Sequence, residues 1–115
     1  MRFTGRWTGM ISTCVTYGVD DRKLDAFERY AKLWIPMVQK FGGTHHGYFL
    51  PTDSAGRDAG GTAMALYTFA TPVHYAQWRI GQLDDPDCRL AAAFGRQSGC
   101  IQSHERCFYR PVFKT

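Results

Sequence analysis

The chain has 115 residues, 44% of them aliphatic, aromatic or cysteine, and a net charge of +4; that is enough apolar material for one core, and it excludes wholesale disorder. Lys and Arg are scattered and interrupted by acids such as Asp25 and Glu28, so no nucleic-acid partner is expected. No stretch nears the ~20 apolar residues that cross a bilayer, no signal-peptide core follows Arg2 and Arg6, and the four cysteines lack zinc-knuckle or redox spacing; a cytoplasmic protein with no membrane partner is expected.

Residues 1–9 alternate little and read as an N-terminal arm, and residues 10–17, rich in β-branched side chains, read as the first strand. Asp20 and Asp21 suit a helix start, after which Leu24, Phe27, Ala31, Trp34, Val38 and Phe41 recur at spacings of three and four. This predicts an amphipathic helix over 21–41, ended by Gly42 and Gly43 and bent near Trp34 by Pro36. Strands are expected over 44–51 and 61–70, forming a hairpin whose tip is the polar loop 52–60. Thr71 and Pro72 open a helix with Val73, Ala76, Ile80 and Leu83 on one apolar stripe and Tyr75 and Trp78 beside it. After the Asp84-Asp85-Pro86 turn a helix is predicted over 86–100, weakened by Gly95 and Gly99, and a last strand over 103–113 with Pro111 near its end.

The order strand, helix, strand, strand, helices, strand predicts one α+β domain over 10–113: a ferredoxin-like split βαβ fold with a four-stranded antiparallel sheet. Helices on one face leave the other face bare, and a second copy, sheet against sheet, is the economical cover. A homodimer is therefore the expected assembly.

Several segments carry a family likeness: Phe27-Glu28-Arg29-Tyr30-Ala31, Trp34-Ile35-Pro36, the run from Gly42 to Pro51 through His45, His46 and Tyr48, and Arg110-Pro111-Val112. From about Thr13 to Val112 the chain resembles the NIPSNAP family, within the wider dimeric α+β barrel group. The resemblance implies a homodimer whose two sheets form a barrel. Members are mostly of unassigned activity, while related barrels include cofactor-free monooxygenases, haem-degrading enzymes, isomerases and plain ligand binders, so the fold alone names no reaction.

His45 and His46 are neighbours in a predicted strand, so their side chains point to opposite faces and do not chelate one metal together. Strict alternation puts His46, Tyr48 and Leu50 on one face, where His46 is the candidate acid or base and Tyr48 or Tyr67 would orient a substrate; the alternative is a hydrogen-bonded structural pair. Trp34, Tyr67 and Trp78, with Tyr75, offer large faces with polar tips, suited to lining a site for an apolar or aromatic ligand or to packing the core. Arg106 and Arg110 share a face of the last strand with His104 and Phe108, where they could hold an anionic ligand or pair across a dimer. No phosphate-binding loop, zinc helix, serine elbow or dinucleotide fingerprint is present, and no metal or cofactor is expected. Three readings follow: a small-molecule binder, a cofactor-free oxygenase or isomerase using the same pocket, and a protein-interaction module.

Overall fold

The computed structural model describes residues 9–113; the expected N-terminal arm falls, apart from Gly9, outside them. The elements run β1 (Ile11–Val19), a 3-10 turn (Asp21–Lys23), α1 (Leu24–Lys40), β2 (Thr44–Phe49), β3 (Thr62–Phe69), α2 (Pro72–Gly81), α3 (Pro86–Ser98) and β4 (Ile101–Tyr109). The four strands form one antiparallel sheet in the order β2-β3-β1-β4, the arrangement of a split βαβ fold. Among the described residues no helix is long and apolar enough to cross a membrane.

Each helix begins where a polar side chain takes up free backbone N–H groups. Asp20 accepts from the Arg22 N–H at the 3-10 turn that leads into α1, Thr71 Oγ1 accepts from the His74 N–H at the head of α2, and Asp85 accepts from the Asp87 and Cys88 N–H groups at the head of α3. Asp85 also forms an ion pair with Lys40 at the far end of α1, and this partner, with the Cys88 N–H, holds its carboxyl down at about 2. One carboxylate therefore joins the end of the first helix to the start of the third. Gly99, at φ 65°, ends α3 in the left-handed conformation. Helix α1 runs on past Pro36 to Lys40 and buries Phe27, Ala31 and Val38.

The core lies between the helices and one face of the sheet, with Val15 and Tyr17 from β1 and Ala65, Tyr67 and Phe69 from β3 beneath Phe27, Val38, Tyr75 and Trp78. Here the structure corrects the reading of α2. Val73, Ile80 and Leu83 are 65%, 68% and 70% exposed, whereas Tyr75 and Trp78 are 1% and 3% exposed. The two stripes compete for one buried face, and an aromatic pair three residues apart removes more area from water than the aliphatic set. Both rings settle on Tyr67 and Phe69 of β3, at centroid distances of 6.1 to 6.5 Å.

The opposite face carries Cys14 from β1, Met64 and Leu66 from β3, and Cys107 from β4, with Cys14 standing across the ladder from Cys107. The thiols are free.

Gly43, at the entry to β2, sits where a Cβ would lie 2.7 Å from the Phe69 ring and 2.8 Å from Val38 Cγ1. Those neighbours are buried and have no room to move, so Gly43→Ala should cost about 1–3 kcal/mol by overpacking. Urea unfolding of the two proteins measures it; equal midpoints would contradict the packing described.

Candidate functional site

Strand β2 does not keep strict alternation. It pairs with β3 as His45 to Tyr67 and then Gly47 to Leu66, which leaves His46 as an extra residue, a β-bulge. Gly47 takes φ 115° there, a backbone that side-chain-bearing residues rarely adopt, and its N–H donates to His45 Nδ1 at 2.9 Å. As a result His45 and Tyr48, three apart, both face the helices, and their rings stack 5.1 Å apart at 13°. His46 turns to the other face, where its Nε2 meets Thr68 Oγ1 at 2.8 Å and Thr68 Oγ1 meets Ser12 Oγ at 2.6 Å.

The placement of His46 beside Tyr48 is thereby corrected: the bulge exchanges the faces of the strand, and His45 takes the position facing the helices. An isolated glycine in a strand pattern is a signal for such a bulge, and Gly47 is that signal in the sequence.

A cavity of about 70 Å³ lies between α1, α2 and the sheet. Trp34 from α1, Tyr48 from β2, Tyr67 from β3 and Trp78 from α2 wall it, together with His45. Trp34 and Trp78 meet edge to face at 5.8 Å, and Tyr67 and Trp78 at 6.4 Å. Val15 and Tyr17 of β1 and Arg106 of β4 line it from the sheet, and Arg79 and Gln82 from the end of α2. The three rings singled out as ligand-binding candidates thus stand around one space with Tyr48, and His46 does not.

The electrostatics of this space are one-sided. Burial pushes the Tyr17 and Tyr48 hydroxyls well above their ordinary value, and the Tyr30 hydroxyl upward too, so these phenols keep their protons. Burial, and then the neighbouring His46, pulls His45 down to about 4, so its ring is neutral at neutral pH. Because Nδ1 accepts from Gly47, the single ring proton sits on Nε2. The N–H groups of Trp78 (Nε1), Gln82 (Nε2) and Arg106 (Nε) are buried with no hydrogen-bond partner among the described residues. Arg79 and Arg106 bring positive charge to the lining, which contains no carboxylate among the described residues. Sequence spacing had put Arg106 on one face of its strand without saying which way that face looks; Gln82, four residues after Trp78 on the buried side of α2, had no signal of its own.

A second, open groove of about 670 Å³ lies beside α3, lined by Leu83, Leu90, Ala92 and Ala93 among others. Trp34 and Gln82 border both spaces.

Several solved structures share this arrangement. A NIPSNAP family protein of unknown function from Agrobacterium tumefaciens superposes with a TM-score of 0.71 at 17% identity, covering 91% of this chain and 90% of the other. An uncharacterised NIPSNAP domain protein from Burkholderia xenovorans gives 0.68 at 16% identity, over 89% and 94%. A protein from Caulobacter crescentus, provisionally described as an antibiotic biosynthesis monooxygenase, gives 0.63 at 15% identity, over 93% of both chains. At these identities the likeness is one of fold. No curated protein matches the chain. The sequence itself matches the NIPSNAP profile over residues 13–113, which takes in every cavity residue described above and all of the strands but the first two residues of β1, and the chain belongs to the NIPSNAP family.

Proposed function

We propose that the protein is a homodimer that binds a small organic molecule in the cavity between helices and sheet. The observation that carries this is an aromatic-walled cavity whose lining residues include two arginines and several buried N–H groups without a partner among the described residues. A buried donor without a partner costs about 1–3 kcal/mol, so gathering several at one space is consistent with an occupant that accepts from them. The cavity is smaller than the roughly 300–1,000 Å³ of sites that enclose a drug-sized ligand, so it suits a small molecule or the head of a larger one.

An oxygenase or isomerase acting in the same space would need a base. Among the described residues the lining holds no carboxylate or thiol, and His45, held at about 4 with Nδ1 occupied, serves as a hydrogen-bond donor and not as a base near neutral pH. This favours binding over catalysis. The interaction-module reading draws on the exposed Val73, Ile80 and Leu83, a surface feature with no polar specificity. The four free cysteines suit the reducing cytoplasm in which we place the protein.

The dimer reading rests on the other face of the sheet. Met64 and Leu66 lie at its centre, and Phe49 and Tyr109, 49% and 56% exposed, extend the apolar surface to both outer strands. A second copy laid on this face would cover it and leave the cavity side free.

Three outcomes test these statements. Trp34 and Trp78 wall the cavity, so a binding compound from a library of small acids, ketones and phenols should alter tryptophan emission and raise the melting temperature; a library in which nothing does either would sink the binding reading. Leu66→Glu puts a charge at the centre of the bare face and should convert a dimer to a folded monomer in sedimentation velocity, whereas a wild-type monomer would refute the assembly. For His45 the folded value of about 4 lies below the ordinary 6.5. The unfolded chain therefore takes up a proton that the folded chain refuses, so this contribution is complete above 6.5 and is lost as pH falls from 6.5 towards 4. Urea unfolding across that window should show the decline, and His45→Gln should flatten it.

A further inference from the structure

Resting on that binding reading, we propose that the ligand is a small organic carboxylate whose head enters the cavity against Arg106 and whose apolar body passes Trp34 and Gln82 into the groove beside α3. Apart from the tyrosine hydroxyls, which donate or accept, the polar groups around the cavity are mainly donors. Trp78, 3% exposed, presents an indole N–H that cannot accept. His45 is left with Nε2–H once Gly47 occupies Nδ1, and Arg106 Nε is buried and unpartnered. The Gln82 amide, like the tyrosine hydroxyls, can offer a guest a donor or an acceptor. An alcohol or amide could be hydrogen-bonded here too, but brings no negative charge to set against the two arginines. A carboxylate brings two oxygens with about four lone-pair sites and no proton at neutral pH.

Charge points the same way. Arg79 and Arg106 line the cavity without an acid, and Arg106 makes no ion pair with any described residue. A partly buried guanidinium lacking a counter-charge is costly, and its planar fork fits a carboxylate through two parallel hydrogen bonds. Size divides the ligand into two parts. About 70 Å³ admits the head, and the adjoining groove of about 670 Å³, with Leu83, Leu90 and Ala93 in its walls, admits an apolar body. Trp34 and Gln82, shared by both spaces, form the partition that such a molecule would pass.

The test titrates the full chain at neutral pH with butanoate, hexanoate and octanoate, with the primary amides of the same lengths, and with inorganic phosphate, following heat and tryptophan emission. Carboxylates should bind, with affinity rising about two- to fourfold per methylene as the body fills the groove, and amides should bind roughly tenfold more weakly or worse. Arg106→Gln should weaken carboxylate binding roughly tenfold and amide binding by clearly less. The comparison of acid with amide on the wild-type protein decides the matter even where the variant fails to fold. Amides that bind as well as acids would overturn the carboxylate and leave the binding reading standing. Phosphate binding more tightly than any acid would overturn the ligand class, and affinity independent of chain length would overturn the placement in the groove. If neither series nor phosphate changes heat or emission, the binding reading falls with the proposal.

Discussion

The bulge at His46 controls what reaches the cavity, because one inserted residue exchanges the two faces of a strand from that point onward. Without it, His46 would face the helices with Tyr48, and His45 would lie on the bare side. Gly47 makes the exchange possible twice over: its φ of 115° is open to glycine, and its N–H captures His45 Nδ1, fixing both the ring and its tautomer. The donor character of His45 is thus a property of the backbone two residues away.

The order of elements was legible because each one carries its own local signal. Phe27, Ala31 and Val38 repeat at helical spacing and are the buried residues of α1, and Asp20, Thr71 and Asp85 stand at the helix starts they announce. Split βαβ connectivity follows from that order alone. Two features escaped, and both depend on competition between segments distant in sequence. In α2 the aliphatic stripe lost to Tyr75 and Trp78, because the sheet below rewards the larger rings. In β2 the pairing register with β3, which Gly47 signals but does not by itself fix, decided which histidine faces inward.

The cavity shows the same division. Trp34, Tyr67 and Trp78 come from three separate elements, and their size was enough to select them as candidates. Arg106 was a candidate from its strand spacing, but its place in the lining, and Gln82 altogether, became visible only when the sheet and α2 were placed against each other, since an unpartnered donor is a statement about surroundings. The resulting site departs from the well-satisfied interior that folding alone would favour, and such departures concentrate where a protein meets something else.

The bulge also bears on how these molecules tolerate crowding among their own kind. Strand β2 lies at one border of the sheet, where a row of open backbone groups would otherwise invite another chain to add itself; an interrupted ladder offers no continuous template, a common protection against edge-to-edge growth. The other border, β4, is longer, at nine residues, and its irregularity, at Gln102, lies at its start and leaves Ser103 to Tyr109 in regular register. Its guard is chemical: His104, Glu105 and Arg106 place polar and charged groups in mid-strand, and Pro111 follows soon after its end. Aggregation by strand addition would therefore begin at β4, and mutations that neutralise its central charges would be the ones to expose it.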